Sequence, residues 1–222
     1  MIEPPEQNST RSLTGLLSSA AIIGMHDTAT HRWHQEAPEP RSVNVGFAAN
    51  ASAADSLLEI IRSQHATNFL LWHIEDEARR PGATDADLAR VKRTIDSTNQ
   101  LRNDLAERCD EFLLAQLKNI STTAELHSET PGMMIDRLSI LALRIYHTQE
   151  EIDRQDAPEG HIERNQKRLA ILIEQRQDLA ACLDRLWLQT LECKRRFKLY
   201  RQLKMYNDPT LNPSVYRDRK QD

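Results

Sequence analysis

Apolar residues in this 222-residue chain recur at alternating intervals of three and four, the spacing of one helical face, over four long stretches. Over 51–80 the three-four positions are Leu58, Ile61, His65, Asn68, Trp72, Glu75 and Arg79. A second helix is predicted over 84–119, with Thr84 as N-cap, Asp87 as a capping-box-like partner, and a seam of Leu88, Val91, Ile95, Thr98, Arg102, Leu105, Cys109 and Phe112. The third opens with Thr130 as N-cap and Pro131 at the first helical position, where a missing N–H costs nothing. It is apolar on almost every side over 133–146, as a central, buried element would be. The fourth is predicted over 159–206, with Leu169, Leu172, Leu179, Leu183, Leu186, Cys193, Phe197 and Tyr200 on one stripe. At 1.5 Å per residue it would be roughly 70 Å long. A helix of that length is expected to project beyond a compact bundle, or to pair with a second copy in a coiled-coil-like way.

Glycine and proline set the boundaries. After Gly46 the glycines are Gly82 beside Pro81, Gly132 beside Pro131 and Gly160 just past Pro158, while Pro209 and Pro213 fall near the end. Such pairs are strong breakers, so the stretches between them read as unbroken helix, apart from a loop after about 119. The fold class expected is all-α: an antiparallel bundle of four long helices plus a shorter N-terminal helix within 12–35. One domain is expected over 12–206, with a Pro-, Ser-, Ala- and Asn-rich linker at 37–50. Residues 1–11 and 207–222 read as a flexible arm and tail.

Composition narrows the classes. Aromatics at 5%, six glycines and nine prolines are too few for a sandwich or barrel with its many turns. A net charge of -4 and a pI near 6.1 exclude a strongly basic nucleic-acid binder. No run of 18 apolar residues is present, so no membrane span is predicted. Three unpatterned cysteines, Cys109, Cys182 and Cys193, fit a reducing compartment. The apolar stretch 13–25 lacks a positive n-region, since Glu3 and Glu6 precede it, and a cytoplasmic location is the simplest expectation.

Candidate chemistry lies where polar residues interrupt the apolar seams. His65, Asn68, Glu75 and Arg79 do so in the first long helix, and Thr98 and Arg102 in the second. In the third, Asp136 and His147 share a face with Ile140 and Leu143, and Arg137 and Arg144 share the neighbouring one. Buried polar groups must satisfy one another or line a solvated cavity, so two readings stand: a closed register-fixing network, or a ligand pocket. Several arginines in mid-bundle need anionic partners, from the chain or from a phosphate or carboxylate ligand.

No metal-binding spacing appears: neither Glu-x-x-His nor His-Glu-x-x-His occurs, although His26, His34, His65 and His147 with Asp27, Glu75, Asp76 and Asp136 could assemble a site. Phosphate-cradling glycine loops and nucleophile elbows are missing too, and the cofactor is left open. Glu75-Asp76-Glu77 and Glu107-x-x-Asp110 resemble weakly the carboxylate clusters of all-helical pyrophosphatases, and solvated-face charge explains them equally well. Lys194, Arg195, Arg196, Lys198, Arg201 and Lys204 form a basic run expected to sit at a helix end.

The segments Trp72-His-Ile-Glu-Asp-Glu-Ala-Arg-Arg-Pro81, Asn99-Gln-Leu-Arg-Asn-Asp104 and 128–147, with Met25-His-Asp27 and Thr30-x-Arg-Trp-His34, resemble a bacterial domain-of-unknown-function family, numbered forty-two fifty-four. The resemblance covers about 15–205. It implies a cytoplasmic protein whose relatives often sit near genes for cell-envelope glycosyltransferases, hence a role near lipopolysaccharide or surface-glycan assembly. Its motifs would mark His26, Asp27, Trp33, His34, His65, Asn68, Trp72, Glu75, Asp76, Arg79, Asn99, Asn103, Glu129, Thr130, Asp136, Arg137, Ser139 and His147.

The functional expectation is a pocket for an anionic small molecule, a sugar phosphate or nucleotide-sugar, between the first three long helices. Arg102, Arg137 and Arg144 would hold the anion, with Asn68, Trp72, Arg79, Asn99 and Asn103 around it. Glu75 or Asp76 and Asp136 would supply acid–base or metal chemistry, and His65 or His147 would move protons. Whether catalysis follows binding is left open. The competing expectation is a non-catalytic adaptor that docks a glycosyltransferase or another protein through its long C-terminal helix.

Overall fold

The computed structural model describes residues 13–38, 45–47, 50–203 and 210–211, and these are mostly helical. Five long helices carry the fold: α1 (Ser19–Trp33), α2 (Ala53–Ala78), α3 (Asp85–Gln116), α4 (Pro131–Asp153) and α5 (His161–Leu191). Strands among the described residues are two residues each, β1 (Glu125–Leu126) and β2 (Arg195–Arg196), paired in parallel with Glu125 opposite Arg195. The arm expected at 1–11, much of the linker at 37–50 and nearly all of the tail at 207–222 lie outside the described residues.

Local chemistry starts each helix where the sequence puts a cap. Ser52 and Asp55 form a reciprocal capping box at α2, as do Thr84 and Asp87 at α3, so two orphan N–H groups are satisfied at each end. Thr130 caps α4 ahead of Pro131, accepting from Met133 N–H. Ser18 caps α1, accepting from Ala21 N–H, and a second acceptor comes from far in sequence: Asp184 of α5 accepts from both the backbone N–H (2.9 Å) and the hydroxyl (2.6 Å) of Ser19. A carboxylate there also complements the positive end of the helix dipole.

Helix α4 is the hub and packs against each of the other four helices, as its nearly all-round apolar sequence predicts. Met134, Ile135 and Leu138 from α4 meet Leu57, Ile60 and Ile61 from α2, Leu113 from α3, and Leu183 and Trp187 from α5 in one apolar cluster. Trp33, Ala66, Phe69 and Leu143 form a second, smaller cluster, with Trp72 packed against it. At ~2 kcal/mol for each large side chain taken out of water, these clusters supply the main cohesion.

One glycine sets how closely α3 and α4 approach. A Cβ at Gly132 would lie 2.2 Å from the backbone oxygen of Ala106 and 2.9 Å from Asp110 Oδ2. Only a residue without a side chain fits there. Asp110 exploits the proximity by accepting the Gly132 N–H at 2.7 Å, closing the start of α4 onto α3.

The C-terminal helix is shorter than the sequence pattern predicts. It ends at Leu191 rather than near 206, because Cys193 adopts a left-handed backbone (φ 54°). Lys194 N–H then reaches Gln189 O (2.9 Å) and Cys193 N–H reaches Thr190 O (3.1 Å), the two bonds of a Schellman stop. At 1.5 Å per residue the helix is roughly 46 Å long, which a compact fold accommodates. The chain beyond it returns along β1 and buries Phe197 in the main core.

The basic run is therefore not a helix end. Arg195 faces Glu125 at 3.4 Å, Arg196 Nε donates to Ala124 O, and Arg201 pairs with Glu107 (3.1 Å) and Glu111 (2.6 Å) on α3; Lys204 lies outside the described residues. Among the described residues no helix is long and apolar enough to cross a membrane.

Candidate functional site

Helix α2 presents two faces in its second half, and each meets different partners. On the buried side, His65 and Asn68 project toward α4. Asn68 donates to Asp136 Oδ1 (3.0 Å) and to Ser139 Oγ (2.9 Å), and the Ser139 hydroxyl sits 2.7 Å from His65 Nδ1. The other ring nitrogen lies 3.1 Å from His26 O on α1 and 2.9 Å from the Thr30 hydroxyl. A carbonyl can only accept, so Nε2 carries the proton and Nδ1 accepts from Ser139.

This chain of bonds ties α1, α2 and α4 together, and His65 at its centre has no solvent exposure. Burial drives the His65 pKa down to about 3, so the ring stays neutral. His26, its ring 4.4 Å away and tilted by 33°, is also held well below the usual histidine range, by burial first and then by His65 and Arg176. The geometry gives His65 and Asn68 to a satisfied network rather than to a surface a ligand could touch.

Asp136 joins that network to solvent. Asn68 and Gln64 donate to it, and Arg102 Nε of α3 lies 3.5 Å from Oδ1, an ion pair in which this buried nitrogen makes no hydrogen bond. Burial raises the Asp136 pKa, with Arg102, Asn68 and Gln64 opposing the rise. Above the ion pair opens a cavity of about 450 Å³ lined by Asn68, Trp72, Glu75, Asp76, Arg79, Arg102 and Arg144, with Leu71, Ile140 and Leu143. The sequence-predicted residues thus converge in large part. Within the cavity, however, Arg79 pairs with Glu75 at 3.0 Å and Arg102 with Asp136, so much of its charge is already matched.

Other predicted residues fall elsewhere. Arg137 is exposed and bonded to Glu129 (2.8 and 3.0 Å), on a different side of α4 from Asp136. Asn99 and Asn103 flank Arg102 on α3 without lining this cavity.

A larger groove of about 750 Å³ runs between α4 and α5, and shares Trp72 and Arg144 with the cavity. Its charged lining is one-sided: Arg144, Arg164, Lys167 and Arg168 face a single carboxylate, Glu151. Glu151 is already engaged, by His161 at 2.8 Å and Arg154 at 3.5 Å. His147 lines the same groove and lies flat on the Trp72 indole.

Behind Trp72, three helices each contribute a histidine: His34 follows α1, His73 lies on α2 and His147 on α4. One nitrogen from each lies within 4.8 Å of the others, and among the described residues this is the one grouping of three or more potential metal-ligand side chains. The carboxylates of Glu75, Asp76, Glu107 and Asp110 form no such group. His34 Nδ1 is 2.7 Å from Thr30 O, and His147 Nδ1 is 2.7 Å from Glu150 Oε2, so both Nδ1 atoms donate. The Nε2 atoms of His34 and His147 are buried and have no hydrogen-bond partner. His73 titrates below the ordinary histidine value because of burial and of its two histidine neighbours, with Asp76 and Glu150 opposing.

His73 is the residue that sequence reasoning passes over. The three histidines are separated by 39 and 74 positions, so no spacing signature exists for a cluster assembled from three helices. The groove was hidden for a related reason, since three of its four cations sit at exposed positions of α5 and read as solvated charge.

Comparison with curated proteins and with solved structures finds no match in either. A family model described as "Protein of unknown function (DUF4254)" matches residues 58–199, more than half of the chain. The span takes in α3, α4, α5 and nearly all of α2, and the chain belongs to that family.

Proposed function

We propose that this chain binds a small anionic molecule, of the sugar-phosphate or nucleotide-sugar class, in the groove between α4 and α5. The observation that carries the reading is the charge imbalance there: four cations against one carboxylate that already has two partners. Among the described residues Arg144, Arg164 and Lys167 have no ion pair, which leaves them available to phosphate oxygens. Trp72 and Arg144 also line the cavity toward α3, so a ligand's polar remainder has room beside its phosphate. The site lies one helix interface away from the position expected between α2, α3 and α4, where the arginines are matched by Glu75 and Asp136.

In this reading His147 lines the groove's edge beside the ligand, and Glu75 and Asp76 face the adjoining cavity. Asp136 and His65 hold the framework behind them. The five helices are taken as one antiparallel bundle domain of a cytoplasmic protein, and the sugar class follows the envelope-glycan association implied by the family resemblance. An adaptor role through a long C-terminal helix has less support, since that helix stops at Leu191 and most of the basic run beyond it is bonded within the chain.

Thermal-shift screening against sugar phosphates, nucleotide-sugars and inorganic phosphate tests the proposal. A ligand at 100 times its Kd stabilises the native state by about 2.7 kcal/mol, a readily measured rise in Tm. The rise should disappear in Arg144→Ala and shrink with added salt. No shift with any anionic compound overturns the proposal.

A further inference from the structure

The three-histidine cluster behind Trp72 has the form of a metal site rather than of a packed aromatic corner. Ring centroids lie 5.0 Å (His34–His147), 5.3 Å (His34–His73) and 5.9 Å (His73–His147) apart, mostly edge to face. Packing alone would leave the polar edges of these rings free to find hydrogen-bond partners, yet the Nε2 atoms of His34 and His147 are buried without one. Their Nδ1 atoms are held, one by a backbone carbonyl and one by a carboxylate. That is the arrangement in which a second-shell acceptor fixes the tautomer, turns the ring and leaves an Nε2 lone pair for a cation. The Tyr146 ring stacks on His34 at 4.1 Å and holds the plane of that imidazole.

We infer that His34, His73 and His147 form a binding site for one divalent transition-metal ion of the zinc type, with Thr30 O and Glu150 orienting two of the three ligands. Zinc–nitrogen bonds of ~2.1 Å place tetrahedral ligand atoms about 3.4 Å apart. The ligand atoms lie within 4.8 Å of one another, and binding requires the rings to turn until they meet that spacing. Three neutral imidazoles favour zinc, cobalt, nickel or copper over magnesium or calcium, which prefer oxygen. A three-ligand set leaves a coordination position for water or for an oxygen of a bound anion. His147 belongs both to this site and to the cationic groove, so a metal here would sit beside the ligand proposed above. The inference rests on His34, His73 and Glu150, not on the groove arginines, and the two readings can fail separately.

The test uses the full-length chain, stripped with a chelator and dialysed into phosphate-free buffer. Zn²⁺ is titrated calorimetrically, and Co²⁺ is followed by its visible d–d absorption. The expected result is one equivalent per chain, with the intense bands of a nitrogen-ligated cobalt of low coordination number. His73→Ala should weaken binding by more than about 100-fold, and Glu150→Gln, a positioning change at an exposed carboxylate, by about 10- to 100-fold. His127→Ala, remote from the cluster, should bind as the parent does, and Arg168→Ala should retain metal while losing the anion.

Failure of the parent chain to take up one equivalent overturns the inference, as does parental affinity in His73→Ala. Should His73→Ala not fold by circular dichroism, Glu150→Gln decides, and unchanged affinity in that variant counts against the site.

Discussion

His147 lies flat on Trp72, with ring centroids 4.7 Å apart and planes 7° from parallel. The stack places an imidazole that lines the α4–α5 groove against the indole that separates this groove from the cavity toward α3. It also holds α2 to α4 at the end of the second apolar cluster. Trp72→Ala should therefore cost about 2 kcal/mol of stability and weaken anion binding, whereas Trp72→Phe should cost less than ~1 kcal/mol. Urea denaturation and ligand titration of both variants measure the two effects.

Gly132→Ala tests the close approach of α3 and α4. The added methyl meets a backbone oxygen, which cannot swing away as a side-chain tip would. The helices must separate, and the loss should reach about 3 kcal/mol. A variant with the parent's denaturation midpoint would show that the helices do not meet there.

Acid should weaken the fold through His65. Its pKa is about 3 in the folded chain, against an ordinary 6.5. Between those values the unfolded chain binds the extra proton, so stability is fully present above pH 6.5 and is lost as pH falls toward 3. His26, facing His65 from α1, shifts the same way. The His65 contribution is on the order of a few kcal/mol, at roughly 1.4 kcal/mol per pKa unit. His65→Gln should be less stable than the parent at pH 7, and the difference should narrow by pH 4.5. Guanidinium titrations of both proteins at the two pH values check this, and a gap that stays constant would contradict it.

Cys193 supports the C-terminal stop in a conformation that costs a side-chain-bearing residue roughly 1 kcal/mol. Cys193→Gly should raise stability by ~0.5–1 kcal/mol while leaving the helical content unchanged. Thermal denaturation followed by circular dichroism measures both.

That cysteine also shows where the sequence was silent. Thr84 and Thr130 cap their helices where the sequence places them, with partners three residues on, because capping is local chemistry; Ser52 does the same for α2 at a start the sequence left uncapped. The end of α5 is local too, but its left-handed position carries Cys instead of the Gly that would announce it, so the apolar stripe seemed to run on to Tyr200. Polar interruptions in the seams of α2, α3 and α4 name Glu75, Arg79, Arg102 and Arg144, and these side chains line one cavity with Trp72. Periodicity could not say that Arg102 pairs with Asp136 or that His65 is sealed in a network, since both depend on how α2, α3 and α4 rotate about their axes. The histidine cluster needed the fold itself, because His34, His73 and His147 meet only when α1, α2 and α4 are assembled.

The central claim, an anion in the α4–α5 groove, is tested most directly by phosphorus NMR of a nucleotide-sugar and of a sugar phosphate titrated with the protein. The account predicts line broadening of at least one of them that saturates at one ligand per chain and is abolished in Arg144→Ala and in Arg164→Ala/Arg168→Ala. Broadening that is absent with the parent, or identical in the variants, would contradict it.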